Sequence, residues 1–172
     1  DVGASTGGFT QVLRERGATP VIALDVGHGQ VAPEIRRDPG VVVVEGVNAR
    51  YLTPEILAAT SGVSDRPSLV TGDLSFISLT QVLPALVETA AVGADFVLLV
   101  KPQFEVGRAG IREGVVTDPA LRADALDTIL WAAHDLGLGI AGVILSPIVG
   151  TGGNIEFLTH LAAGKGGDPS QW

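Results

Sequence analysis

The sequence predicts an α/β protein in which a doubly wound, mostly parallel sheet is covered by helices. Short continuous apolar runs, typical of strands buried on both faces, alternate with stretches of helical spacing. Most of these runs are followed at once by a polar or charged residue. The 172 residues, 46% of them hydrophobic, are enough for one domain with its own core.

Five apolar runs are the predicted strands, at residues 21–24, 41–44, 68–73, 96–100 and 140–145. Asp1 is expected to end a further strand, so that the sequence starts inside its first motif. Ligands bind at the carboxyl ends of the strands in such sheets. The polar residues that follow the runs are therefore expected along one edge: Asp1, Asp25, Glu45, Asp73 and Lys101.

Four longer helices are predicted between the strands. They run from Phe9 to Arg16, from a Thr53 N-cap, over Ser78 to Ala91, and from an Asp118 N-cap to about Leu136. Pro84 lies inside the third and should bend it or reset its start. The domain is expected to end at residue 163, because residues 164–172 are polar and glycine-rich, as in a frayed flexible tail.

Composition excludes several classes of protein. Eleven basic and nineteen acidic residues give a net charge of −8, which argues against a surface that grips nucleic acid throughout. The absence of cysteine excludes a disulfide scaffold and thiol catalysis, and the histidines lack metal-ligand spacing, so no metal site is expected. No apolar run approaches the roughly 18 residues that a membrane span needs. A cytoplasmic protein fits this composition.

A glycine-rich turn joins the expected first strand to the first helix. Its spacing differs from G-x-G-x-x-G, which favours a turn that holds an amino-acid-bearing nucleoside over one that binds a pyrophosphate. Asp25 lies 22 positions after Gly3 and is suited to the hydroxyls of a ribose. An ordinary glycine-rich loop and a solvated aspartate are the alternatives. The candidate residues of the turn are Gly3, Ala4, Ser5, Thr6, Gly7 and Gly8.

Asp73 and Lys101 are the sharpest chemical signal. Lys101 is one of only two lysines and directly follows a buried strand, where its charge needs a partner. Asp73 follows the preceding strand and is the expected partner. A lysine oriented by a carboxylate becomes a base when a nearby cation favours the neutral amine. A purely structural ion pair is the alternative. Glu156, by contrast, alternates with Ile155 and Phe157, and spacing alone favours a solvent-facing side chain.

Four blocks of the sequence resemble the TlyA family of haemolysin-named ribosomal RNA 2′-O-methyltransferases, whose methyltransferase domain is related to FtsJ. These blocks are residues 1–10, 25–30, 73–79 and 100–107. The resemblance implies a Rossmann-like class I fold that uses S-adenosylmethionine. Its mostly parallel seven-stranded sheet would have a truncated first strand and an antiparallel last strand over residues 155–161. It also implies a substrate in ribosomal RNA or ribosomal subunits, with a cytidine ribose as acceptor.

The resemblance also assigns the site residues. It implies a Lys-Asp-Lys-Glu tetrad in which Asp73, Lys101 and Glu156 are the last three members, which reverses the spacing-based expectation for Glu156. The first lysine and an RNA-binding domain would lie upstream. The cofactor would contact residues 3–8, Asp25, Val26, Asn48 and Asp73. Residues 45–48 read Glu-Gly-Val-Asn where the family usually has Glu-Arg-Thr-Asn. Alternatives are a non-catalytic RNA- or nucleoside-binding fragment, a membrane-active haemolysin and, least favoured by the glycine spacing, an NAD-dependent oxidoreductase.

Overall fold

Apolar runs and helical stretches alternate in the structure as they do in the sequence. The computed structural model describes residues 1–172 and contains six strands and six α-helices. The strands are β1 (Val21–Asp25), β2 (Val41–Glu45), β3 (Leu69–Gly72), β4 (Asp95–Val100), β5 (Gly139–Leu145) and β6 (Phe157–Ala162). The helices are α1 (Gly8–Glu15), α2 (Pro33–Arg36), α3 (Pro54–Ser61), α4 (Leu79–Thr89), α5 (Pro102–Glu105) and α6 (Pro119–Asp135).

The sheet is parallel except for one strand. β1 pairs with β2, and the remaining strands follow the order β3-β4-β6-β5. Val2 forms parallel bridges to Leu24 of β1 and to Gly72 of β3, so it lies between them at the position of the expected first strand. β6 is antiparallel to both of its neighbours, β4 and β5. The Rossmann-like α/β fold and its antiparallel last strand are confirmed.

The core lies between the sheet and the helices that cover it. Alternate residues of β4 are buried, and the inward faces of α4 and α6 pack against them. Fully burying an aliphatic or aromatic side chain contributes roughly 1.5–3 kcal/mol, so these faces hold the layers together. The largest fully buried side chains include Leu83, Leu86, Leu98, Ile129 and Leu130.

The helices begin at the predicted caps. Thr53 Oγ1 accepts a hydrogen bond from the Ile56 N–H at the start of α3, and Asp118 Oδ1 accepts one from the Ala120 N–H at the start of α6. α4 begins after its cap, Ser78, and continues through the exposed Pro84. Pro84 therefore does not reset the start of α4. No helix of the structure is both long and apolar enough to cross a membrane.

Two expectations about the ends of the sequence need correction. The Asp1 carboxylate does not lie on the functional edge, because it accepts hydrogen bonds from the buried hydroxyls of Thr10 and Thr71, at 2.7 and 3.0 Å. Residues 164–172 are not a frayed tail in the structure. Gly167 exchanges two backbone hydrogen bonds with Ile140 of β5, and Pro169 is buried. The backbone pairing arises because the glycines before Gly167 let the chain turn back onto the edge strand.

Candidate active site at the carboxyl edge of the sheet

The glycine turn begins directly after Val2, at the carboxyl edge of the sheet. The N–H groups of Gly3 and Ala4 both donate to the Leu24 carbonyl at the end of β1, at 2.9 and 3.1 Å. Gly3 has a φ of 74°, and a Cβ atom there would lie 2.4 Å from the Asp73 carbonyl oxygen. Only glycine fits this close approach of two backbones. The N–H groups of Thr6 and Gly8 donate no hydrogen bond within the chain, so they remain free at the start of α1.

Asp25 ties the turn to the loop that follows β1. Its Oδ2 accepts a hydrogen bond from the Ser5 N–H and its Oδ1 accepts one from the Gly27 N–H, both at 2.8 Å. Each carboxylate oxygen has a second lone pair available for a ligand. Glu45, at the end of β2, has a different task. It pairs with Arg36 and accepts a hydrogen bond from the Gly29 N–H, and these contacts lower the pKa of its carboxyl.

These elements enclose a cleft of about 530 Å³, which lies within the range of roughly 300–1,000 Å³ typical of small-molecule sites. Its wall is mainly apolar with a few carboxylates and amides. The structure brings together six of the expected cofactor residues there: Gly3, Ser5, Asp25, Val26, Asn48 and Asp73. Residues that sequence reasoning did not select complete the wall: Val2, Leu24, Gln30, Val47, Ala49, Leu74, Ser75, Phe76, Ile77 and Val82.

The other four residues of the turn do not line the cleft. Ala4 is buried in a small cluster with Ala23 and Val41. Gly7 packs against Ile35, whose Cγ2 would lie 3.0 Å from a Cβ atom at that position. Thr6 and Gly8 are exposed at the helix start. Ala4 and Gly7 therefore support the turn by packing against other residues and do not line the cleft.

Lys101 and Asp73 meet beside the cleft, as their positions at adjacent strand ends predict. Lys101 Nζ lies 2.6 Å from Asp73 Oδ1 and donates a hydrogen bond to Ser75 Oγ at 3.1 Å. The Lys101 side chain is only 13% exposed, whereas that of Asp73 is 42% exposed. An amine so far removed from water requires its partners. The pair thus holds one amine at a defined place next to the cleft.

Glu156 lies at the same edge but is not part of a strand. It precedes β6, whose first residue, Phe157, pairs with Val100 at the end of β4. The side chain is buried, and its Oε1 accepts a hydrogen bond of 2.8 Å from Gln103 Nε2. The solvent-facing orientation expected from spacing is therefore wrong. No ion pair within 4.0 Å joins Glu156 to Lys101, so the structure brings these two residues to one edge without direct contact.

Two supporting residues escaped sequence reasoning. Glu105 Oε2 accepts a hydrogen bond from Ser78 Oγ at 2.5 Å and its Oε1 accepts one from the Leu79 N–H at 2.9 Å, which caps α4; burial raises the pKa of this carboxyl. Asn154 is buried. It accepts from the Val116 N–H and donates to the carbonyls of Gly114 and Thr151. Both residues hold loops in place at the edge of the sheet. Local spacing in the sequence does not predict such long-range contacts.

Phe76 is the most exposed aromatic residue at the cleft. Its side chain is 91% exposed, and its backbone has a φ of 65°, which is uncommon for a residue other than glycine. Its ring centroid lies 5.2 Å from that of Phe104. A large apolar ring held in this conformation beside a polar pair favours a role in contacting a ligand.

Comparison with known proteins is consistent with this geometry. Residues 1–163 match the family model described as FtsJ-like methyltransferase. The "16S/23S rRNA (cytidine-2′-O)-methyltransferase TlyA" of Mycobacterium tuberculosis is 52% identical over 162 residues, which cover 94% of this chain and 58% of that protein. The chain thus spans less than two thirds of the length of this relative.

Solved structures agree on the fold. A structure named as a hemolysin from Streptococcus thermophilus superposes with a TM-score of 0.90 at 41% identity, covering 98% of this chain and 60% of the other. An S-adenosylmethionine dependent methyltransferase from Mesorhizobium loti superposes with a TM-score of 0.62 at 17% identity, covering 94% of this chain and 89% of the other. The second similarity concerns the fold alone.

Proposed function

Because this chain belongs to the FtsJ-like methyltransferase family, we propose that it transfers a methyl group from S-adenosylmethionine to a ribose 2′-hydroxyl of ribosomal RNA. The observation that carries the proposal is the Lys101–Asp73 pair beside the cleft formed by the glycine turn. The name of the mycobacterial relative supports a cytidine in 16S or 23S rRNA as the acceptor. The proposal places the protein in the cytoplasm with the ribosomal subunits.

The residues of the cleft fit the parts of S-adenosylmethionine. Asp25 lines the cleft and is suited to the ribose hydroxyls. The free N–H groups of Thr6 and Gly8 belong to the turn but not to the cleft wall, and they are suited to the carboxylate of the methionine moiety. Asn48 adds an amide to the apolar wall that would hold the base. When bound, this compound supplies an electrophilic methyl group on a sulfonium, whose sulfur keeps the electron pair of the broken carbon–sulfur bond.

Lys101 is the proposed general base. Its neutral amine takes the proton of the 2′-hydroxyl as the ribose oxygen bonds to the methyl carbon, and Lys101 becomes an ammonium. Asp73 and Ser75 hold the amine in place and stabilise the charge that it acquires. Glu156 lies at the same edge as a buried carboxylate that helps to position the reacting groups. Proton transfer of this kind contributes roughly 10²–10⁴-fold in rate.

The experiment compares Lys101→Ala with Lys165→Ala, the substitution of the other lysine, in the full-length protein. Lys165 pairs with Asp95 at the opposite end of β4 and serves as the matched control. We expect Lys101→Ala to lower methyl transfer to ribosomal RNA by about 10²–10⁴-fold while leaving the affinity for S-adenosylhomocysteine nearly unchanged. Wild-type turnover of Lys101→Ala would contradict the assignment of the base.

A further inference from the structure

Gln103 connects the segment that carries Lys101 with Glu156. We propose that Gln103 is a positioning residue that fixes the Glu156 carboxylate for methyl transfer, an inference that rests on the function proposed above. Its Nε2 donates the one hydrogen bond that the Glu156 side chain receives in the structure, at 2.8 Å. Glu156 is 6% exposed, so water does little to orient its carboxylate. Removal of this donor would leave a buried carboxylate without a partner.

Gly150 also lies close to the Glu156 carboxylate. A Cβ atom at Gly150 would lie 2.3 Å from Glu156 Oε1 and 2.6 Å from its Cδ. Gly150 itself is held by a hydrogen bond from its N–H to the Asn154 carbonyl. The carboxylate therefore accepts a hydrogen bond from an amide and has no room for a side chain at Gly150. Since Gly150 has a φ of −71°, alanine fits the backbone, and the carboxylate is the group that must move.

Only the Nε2 group of the Gln103 amide forms a hydrogen bond within the protein. Its Oε1 is buried and accepts no hydrogen bond, while its Nε2 is committed to Glu156. A carboxylate only accepts hydrogen bonds, so this orientation of the amide is the one that Glu156 requires.

Gln103 also couples residues that do not touch. α5 begins at Pro102, directly after Lys101, so Gln103 is two positions from the amine-bearing residue on one short turn. Glu105 fastens the same turn to the start of α4 through Ser78 and Leu79. Lys101 and Glu156 are thereby joined through one short turn and one hydrogen bond. The two charged neighbours of Gln103 on its own segment face elsewhere, Lys101 toward Asp73 and Glu105 toward α4.

The test uses Gln103→Leu and Gln103→Glu in the full-length protein, with Gln81→Glu on the exposed face of α4 as the matched control. We expect both Gln103 variants to lower kcat by about tenfold or more at alkaline pH, with KM for S-adenosylmethionine within about twofold, because the reacting groups are displaced and the cleft is not. Gly150→Ala should lower kcat in the same way. Gln81→Glu should behave as the wild type.

The pH profile separates positioning from structure. At alkaline pH, Gln103→Glu sets two carboxylates side by side, whereas the introduced carboxyl group, once protonated, donates a hydrogen bond to Glu156. The activity of Gln103→Glu relative to the wild type should therefore recover as the pH falls to about 6, and that of Gln103→Leu should not. Wild-type kcat in both Gln103 variants, or a loss in Gln103→Glu that does not change with pH, would overturn the inference. A wild-type protein that transfers no methyl group would instead overturn the proposed function.

Discussion

Replacing Gly3 by alanine should damage both the stability of the domain and the cleft. The left-handed backbone of Gly3, at φ 74°, costs an L-residue about 1–2 kcal/mol. The new methyl group would lie 2.4 Å from the Asp73 carbonyl oxygen, a backbone atom that moves only with its strand end. Overpacking of this kind costs about 1–3 kcal/mol. The sum is about 3 kcal/mol, or a fall in Tm of about 6–12 °C for a domain of this size.

Gly62→Ala isolates the cost of placing an L-residue in the left-handed backbone conformation. Gly62 follows α3 with a φ of 73°, and no atom lies within 4 Å of a Cβ placed there. We expect this control to lower Tm by only about 3–6 °C and to leave binding intact. Gly3→Ala should also weaken S-adenosylhomocysteine binding by tenfold or more, about 1.4 kcal/mol, as measured by calorimetry. Equal Tm values for the two variants, with unchanged binding in Gly3→Ala, would refute the argument from close approach.

Two further predictions concern stability and substrate. Hydrogen bonds from His160 and then Lys165 lower the pKa of Asp95 below its ordinary value of 3.8, so Asp95 stabilises the fold above that pH and loses this effect as the pH falls through its folded pKa. Asp95→Asn should therefore lower Tm relative to the wild type, most strongly near neutrality and less in acid. Asp127→Asn is the control, and Tm is measured as a function of pH for both variants. A difference in Tm between Asp95→Asn and the wild type that grows in acid would be inconsistent with the lowered pKa. Phe76→Ala should raise KM for RNA, with Phe76→Leu intermediate, since stacking of a base on an aromatic ring is worth about 1–3 kcal/mol; an unchanged KM for RNA would show that the exposed ring does not contact the substrate.

The sequence was informative where local pattern decides the structure. The run from Phe96 to Val100 is a buried strand because it is continuously apolar, and it delivers Lys101 to the edge with Pro102 ending the strand. Asp73 lies at the same edge because it also follows a buried strand. The ion pair between Asp73 and Lys101 is expected because a desolvated amine without a partner is unfavourable. The helix caps at Thr53 and Asp118 depend on neighbouring residues and were equally predictable.

Contacts between distant segments decide the rest. Glu156 is a buried residue that contacts Gln103, which lies 53 positions earlier, and it lies close to Gly150. The alternation of Glu156 with Ile155 and Phe157 predicts neither of these contacts. Asn154 fastens the loop at Gly114, 40 positions away, in the same manner. Asp1 follows the rule for strand ends in the sequence, yet its carboxylate is withdrawn from the edge by two buried threonine hydroxyls. Burial of a polar residue is a tertiary property that one-dimensional spacing does not carry.

The product of the reaction offers the most direct test of the proposed chemistry. The full-length protein, incubated with S-adenosylmethionine carrying a labelled methyl group and with unmodified ribosomal subunits, should transfer the label to RNA. Digestion to nucleosides followed by mass spectrometry should place it on 2′-O-methylcytidine, and Lys101→Ala should lower the rate at which that signal appears by about 10²–10⁴-fold. Label on a nucleobase or on protein, or no transfer by the wild type, would contradict the assignment of Lys101 as the base for a ribose hydroxyl.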